Sequence, residues 1–361
     1  MEEPSDSGAH APLPLAHRRL LAAIMITGVV LIVITIASTA TAIFEHGSPQ
    51  QAASASSPLQ TVRRPHLSDA QLPLTGLNWP TSLTVDAAGT VYVTDTNNKR
   101  VIKLLMGSST PLELRFAGLK WPESVAVDSA GSVYVIESNY DGLDNTNRVL
   151  KLPAGSMTQI QVPFTGLKNP AGMAADSAGN VYIADNLNSP VPKRPARSNT
   201  PVEHPFAGIR VTDIGNGRVF KLPAGSSTPV QLPFTGLRDV TGVAVDTAGN
   251  IYVTDRGKSR VLKLVAGSDT PIPLPSTGLI GPTGVSVDSA GSVYIADNGN
   301  SSVPGSLWCR RVLKLPAQSS TWVELPFTGL SAPGGVAVDS AHNVYVTDLH
   351  NNLVLKLLAG A

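Results

Sequence analysis

Between Gly242 and Leu264 the chain reads GVAVDTAGNIYVTDRGKSRVLKL. Apolar and polar positions alternate through GVAVD, NIYVTD and RVLKL, and turn-forming residues interrupt the alternation at DTAG and RGKS. A period of two marks strands, and clusters of Gly, Asp and Asn mark tight turns. A further alternating stretch, PVQLPF, supplies a fourth strand, so each unit predicts four strands, a to d from the centre outward. The unit recurs with its register fixed by an aspartate, at Asp86, Asp128, Asp176, Asp246, Asp288 and Asp339, spaced by 42, 48, 70, 42 and 51 residues. A basal period of 42 residues is that of a propeller blade and exceeds that of most helical repeats.

The turns between strands a and b have a stated chemistry. The aspartate of DTAGN can accept a hydrogen bond from its own backbone two residues on, and Gly249 can take a positive φ without steric cost. Gly89, Gly131, Gly179 and Gly291 hold the equivalent place, whereas His342 replaces the glycine in the last copy and predicts a slightly strained turn. The last unit stops after a strand c, at LVLKLLAGA, and the first begins with AQLPLTGL, which reads as a strand d. Together they predict one composite blade that closes a ring and removes exposed sheet edges. The 70-residue interval is the irregularity: within it, residues 198–209 and 210–222 align with strand d and with strands b and c of other units, but no strand a precedes them. A blade without an inner strand cannot line a channel, so the expectation is six blades with a long insertion near 186–217, against a distorted seven.

These residues resemble the NHL repeat. With the added LPFTGL and KLPAGSSTPVQLPFTGL, residues 70–361 look like the extracytoplasmic sensor domain of actinobacterial receptor serine/threonine kinases of the kinase D type. The resemblance implies an all-β, six-bladed propeller used as a sensor. It does not extend to a kinase: no Gly-rich phosphate loop, VAIK-like lysine, HRD or DFG is present.

Composition changes this picture in one region. Leu20–Phe44 carries no charge in 25 residues, follows His17, Arg18 and Arg19, and is long enough to cross a bilayer. The expectation is a short cytoplasmic tail (1–19), a signal anchor (20–44), a Ser/Ala/Pro linker (45–69) and an extracytoplasmic propeller (70–361). Cleavage after STATA, giving a secreted protein, is the alternative. Elsewhere composition is bland. A formal net charge of +1 over 361 residues gives no global field for nucleic acid, and the single Cys309 allows no intramolecular disulfide.

Function should sit where the copies differ. The strand-b acids (Asp95, Glu137, Asp185, Asp255, Asp297, Asp348) and the arginines opening strand c (Arg100, Arg148, Arg218, Arg260, Arg311) recur too regularly to form one active site. They predict ion pairs bracing the b–c turns. The step from acid to strand c is 5 residues in units one, four and six but 11, 33 and 14 in units two, three and five. All long insertions therefore fall in b–c connections, which share one face with the d–a connections. Loops on one face of a rigid scaffold usually carry binding. That face is predicted to hold Trp79, Lys120, Trp121, Glu123, Arg238, Asp239, Arg256 and Trp308, with Lys193, Arg194 and Arg197 on the longest insertion. Exposed tryptophan anchors peptides or sugars, although Trp79 and Trp121 could equally pack between blades, and the basic run could be a solvated loop.

The expectation is a binding module without cofactor or metal, meeting an envelope protein, peptide or glycan. The alternative is a propeller enzyme of the lactonase or lyase type with a metal at the channel mouth. The propeller holds only His204, His342 and His350, and no HExxH or nucleophile elbow.

Overall fold

The computed structural model describes residues 69–138, 147–186, 217–299 and 310–360. The chain divides into two units, Met1–Val62 and Arg63–Ala361. The first lies outside the described residues, and with it the expected tail and anchor; the expected linker lies outside them up to residue 68. Trp308, Cys309, His204, Lys193, Arg194 and Arg197 also lie outside. Among the described residues no helix is long and apolar enough to cross a membrane.

Six four-stranded antiparallel sheets form the second unit. The first strand, β1 (Ala70–Gln71), belongs to the last sheet. Blade one is β2 (Pro80–Val85), β3 (Val91–Asp95), β4 (Arg100–Leu104) and β5 (Leu112–Glu113); blade two is β6 (Pro122–Val127), β7 (Val133–Glu137), β8 (Arg148–Leu152) and β9 (Ile160–Val162). Blade three is β10 (Pro170–Ala175), β11 (Val181–Asp185), β12 (Arg218–Leu222) and β13 (Val230–Gln231); blade four is β14 (Val240–Val245), β15 (Ile251–Asp255), β16 (Arg260–Leu264) and β17 (Ile272–Pro273). Blade five is β18 (Pro282–Val287), β19 (Val293–Asp297), β20 (Arg311–Leu315) and β21 (Val323–Glu324), and blade six is β22 (Pro333–Val338), β23 (Val344–Asp348) and β24 (Leu353–Leu357) completed by β1.

The composite blade closes the ring as the chain ends predicted. Ala70 pairs with Lys356 and Gln71 with Leu355. The blade-six residues Ala337, Tyr345 and Val354 pack with Leu83, Val91 and Val93 of blade one, so the last interface is filled like the others. Six blades are present. Across the 33-residue interval of blade three the chain returns in register, with Asp185 opposite Arg218.

The core lies between blades. Every strand b is buried along its whole length. Between blades two and three, Ile136, Val149, Phe164, Leu167, Met173 and Ile183 form one cluster. The Phe and Leu of PFTGL thus plug the cleft between two sheets, which explains why that loop is apolar although it is a crossing.

The a–b turns are built as the sequence predicts and hold one bond more. Asp246 Oδ1 accepts the N–H of Ala248, and Gly249 has φ +81°. The other oxygen accepts the Tyr252 hydroxyl, a bond repeated in every blade at 2.9–3.0 Å. Lys151, Lys221, Lys263, Lys314 and Lys356 lie over these tyrosine rings at 4.8–5.5 Å. In the last copy His342 sits at φ +62°, the strain expected of a side chain there. Its Nδ1 lies 3.4 Å from Asp288 of blade five, so the residue that strains the turn also ties two blades.

Candidate functional site

The predicted ion pairs form. Asp95–Arg100, Glu137–Arg148, Asp185–Arg218, Asp255–Arg260 and Asp297–Arg311 all bridge the b–c turn. Blade six has Leu353 in place of the arginine, and there Asn351 Nδ2 donates to Asp348 at 2.8 Å. The acids have a second role that spacing did not show. Asp255 Oδ1 accepts the backbone N–H groups of Arg238 (3.0 Å) and Asp239 (3.2 Å), just before strand a of its own blade. Asp185, Asp297 and Asp348 do the same for Lys168 and Asn169, Ile280 and Gly281, and Ser331 and Ala332. Each acid therefore clamps the d–a connection as well as the b–c turn, and it does so whatever side chains the connection carries.

The clamped connections surround a central cavity of about 480 Å³ that runs from the b–c and d–a mouth down the inner strands. The inner strands are pinned to one another near the mouth. Thr81 Oγ1 donates to Glu123 O (2.8 Å), Thr241 Oγ1 to Thr283 O (3.1 Å) and Thr283 Oγ1 to Gly334 O (3.0 Å). Strand a also carries glycine where blades converge: a Cβ on Gly242 would stand 2.6 Å from Thr283 O. The rim is thus rigid, and its side chains are presented from fixed backbone.

Of the predicted site residues, Trp79, Glu123, Asp239 and Arg256 line this cavity. Lys120, Trp121 and Arg238 lie in the d–a connections of the same face but do not line the cavity. The reason is local. Lys120 and Arg238 stand two residues before strand a, where the clamped N–H faces the strand-b acid. The Lys120 side chain is exposed, and the Arg238 side chain packs beside Gly257. Trp121 hydrogen-bonds the Glu123 carboxyl.

Trp79 and Trp121 occupy equivalent positions yet differ in conformation. Trp79 has φ +61°, and its N–H donates to Asn352 Oδ1 of blade six at 2.7 Å. Its ring lies 5.4 Å from that of His350, centroid to centroid, tilted by 44°. His350, Asn169 and Asn298 also line the cavity, and sequence reasoning missed them. A signal existed for one of them. Aligning the residue just before strand a across the units gives Trp79, Trp121, Asn169, Asp239, Gly281 and Ala332, a variable position inside an otherwise uniform phrase.

The electrostatics are mixed. Confinement among the channel walls lifts the half-buried Glu123 carboxyl from its ordinary value to about 7, against the Trp121 hydrogen bond that lowers it. Burial also raises Asp239; the Arg256 guanidinium opposes this, the Asp255 charge adds to it, and Arg238 opposes it. Among the described residues no group of three or more His, Cys, Asp or Glu could hold a metal ion.

Comparison with known proteins agrees with the fold. The NHL repeat model matches residues 77–104, 237–264, 279–303 and 330–357, so the chain carries NHL repeats. Among solved structures, a gluconolactonase from Xanthomonas campestris superposes with a TM-score of 0.56 at 15% identity, covering 81% of this chain and 88% of that one. A catalytically inactive virginiamycin B lyase from Staphylococcus aureus with quinupristin gives 0.51 at 12% identity, covering 81% and 86%. A chain of a nidogen/laminin complex gives 0.52 at 16%, covering 79% and 87%. At such identities the likeness is one of fold alone. No curated protein matches the sequence.

Proposed function

We propose that this protein is a membrane-anchored, extracytoplasmic binding propeller that receives a ligand of the cell envelope at the channel mouth and acts as a sensor, adhesion or scaffold module. One observation carries the reading. The described mouth is a rigid cavity with an aromatic side, Trp79 and His350, and a charged side, Asp239 and Arg256. Its volume lies within the roughly 300–1,000 Å³ of small-ligand sites. The lengthened connections of blades two, three and five leave from the same rim, at Ser138, Asn186 and Gly299. Anchoring rests on the apolar run Leu20–Phe44 and the basic residues before it. The similarity of the phrase to kinase sensor domains supports a sensory role.

The test is calorimetric titration of the full-length protein, in detergent, with fractionated envelope material, beside protease accessibility in intact cells. Saturable heat weakened by Arg256→Ala, together with an external propeller, is the expected result. No saturable heat from any fraction, or a propeller protected by the membrane, overturns it.

A second reading is enzymatic, of the lactonase or lyase type. Glu123, with a carboxyl lifted to about 7, suits proton transfer at neutral pH. The described donor set does not fit a metal, so such chemistry would have to draw on residues outside it. Lactone hydrolysis or lyase turnover lost in Glu123→Gln would favour this reading.

A further inference from the structure

We propose that the ligand is an uncharged saccharide whose ring stacks on Trp79; this rests on the reading of the mouth as a binding site. The first support is the backbone of Trp79. A bulky L residue takes a left-handed φ only at a cost, and such residues collect at functional sites. The fold does not require it, because the equivalent residues Trp121, Asn169, Asp239 and Ala332 are not left-handed. In blades three to six the N–H at this position is clamped by the strand-b acid. In blade one it is turned away to Asn352 of the neighbouring blade, and Asn98 Nδ2 occupies the second oxygen of Asp95 together with Arg100. The rearrangement places the indole on the cavity wall beside His350, where its sequence twin Trp121 is absent.

The second support is what the rest of the mouth offers. Blade four lies across the six-membered ring from blade one, and it supplies Asp239 and Arg256. Blades two, three and five supply Glu123, Asn169 and Asn298. Carboxyl, guanidinium and carboxamide groups together offer many donors and acceptors, with charges of both signs. The Asp239 and Arg256 charges face each other within blade four and offset one another, so they single out neither an anionic nor a cationic ligand. A ring with one apolar face and a hydroxylated rim satisfies both sides: the face covers the indole and the hydroxyls pair with the polar groups.

The experiment titrates the full-length protein in detergent with neutral oligosaccharides, namely maltotriose, N,N′-diacetylchitobiose and an arabinogalactan-derived oligosaccharide. Variants are Trp79→Ala, Trp79→Tyr and, as a control on the outer edge, Trp322→Phe, whose indole donates to Pro275 O. Saturable binding of at least one saccharide is expected, weakened tenfold or more by Trp79→Ala, kept within about threefold by Trp79→Tyr and unchanged by Trp322→Phe. Saccharide binding indifferent to Trp79→Ala in a folded variant overturns the stacking proposal. Envelope-peptide binding lost in Trp79→Ala, with no saccharide bound, overturns the saccharide assignment and leaves the mouth as a site. No binding of saccharide or of any envelope fraction overturns both.

Discussion

Asp255 gives the sharpest test of how the rim is held. Its carboxylate is fully buried, with Oδ1 accepting two backbone N–H groups and Oδ2 accepting Arg260 Nε at 2.9 Å. Asp255→Ala strands all three donors at once. Removing one partner of a buried charged pair costs about 3–5 kcal/mol, a large share of the 5–15 kcal/mol typical of a folded domain. Asp255→Asn keeps one acceptor oxygen for the two N–H groups but sets an NH2 donor against Arg260 Nε, so the charge and that hydrogen bond are both lost and about 1.5–3 kcal/mol is expected. Arg260→Leu copies only the leucine of blade six, where Leu353 stands opposite Asp348 and Asn351 donates to that acid instead; with Lys258 in the place of Asn351, it leaves Asp255 to the two N–H groups and should cost about 1.5–3 kcal/mol. The assay is denaturant unfolding of the full-length chain at pH 7, with thermal melting as a second reading of the same order. If the backbone clamp dominates, the costs rank with Asp255→Ala well above the other two. Equal costs for Asp255→Ala and Asp255→Asn would show that the charge pair carries the effect, and the clamp argument would fail. A cost below about 1 kcal/mol for Asp255→Ala would refute the role of the acid altogether.

Three further outcomes follow from named groups. Glu123, lifted to about 7, holds a proton that the unfolded chain releases near 4.5, so stability should fall as pH rises from about 4.5 to 7 and level off above. Glu123→Gln lacks this loss; water at the mouth screens part of the penalty, so denaturant melts should find it more stable by on the order of 1–2 kcal/mol at pH 8 and equal at pH 4, and parallel pH curves would refute the assignment. His342→Gly should leave stability within about 1 kcal/mol of the parent, on the stabilising side, because relief of a left-handed side chain, roughly 1–2 kcal/mol, outweighs a half-exposed ion contact; thermal melts showing a larger loss would mean that the His342–Asp288 tie matters more than the strain. Burial pushes the Asp339 carboxyl up, but bonds from Asn343 and the Tyr345 hydroxyl leave it below its ordinary range, so its contribution is present above about pH 4 and lost as pH falls through the folded value. Asp339→Asn should flatten the acid limb of the stability curve and lower the plateau at pH 7, and an unchanged acid limb would contradict the bonding seen.

How much of this was readable from the chain depends on whether a feature repeats. Strand positions, the a–b turns, the Asp–Arg braces and the closing of blade six with β1 were legible because each is written several times with the same residues. The double duty of the strand-b acids was not, because an acceptor for backbone N–H leaves no mark on the residues whose N–H it takes. Trp79 and Trp121 show the same limit from the other side: both precede a proline that opens strand a, in NWP and KWP, and the nearby difference, Thr81 against Glu123, does not announce a left-handed backbone at either tryptophan. What separates them is Asn352, 273 residues away, reached only because the ring brings blade six beside blade one.

That contrast bears on how such a mouth can acquire specificity. Because the strand-b acid grips main chain, the side chain just before strand a varies between units, as Trp, Trp, Asn, Asp, Gly and Ala, although the glycine of blade five is demanded by packing, since a Cβ on Gly281 would collide with Gly299 O, and Ala332 of blade six is buried. In blades three and four a change at that position alters the rim without altering the clamp beneath it. The exception in blade one then has a cost, since Trp79 gives up the common arrangement for a bond across the ring-closing interface. Its conformation depends on blade six being docked, so the aromatic side of the mouth exists only in the closed ring. Opening the β1–β24 seam should therefore remove ligand binding before it unfolds the other blades.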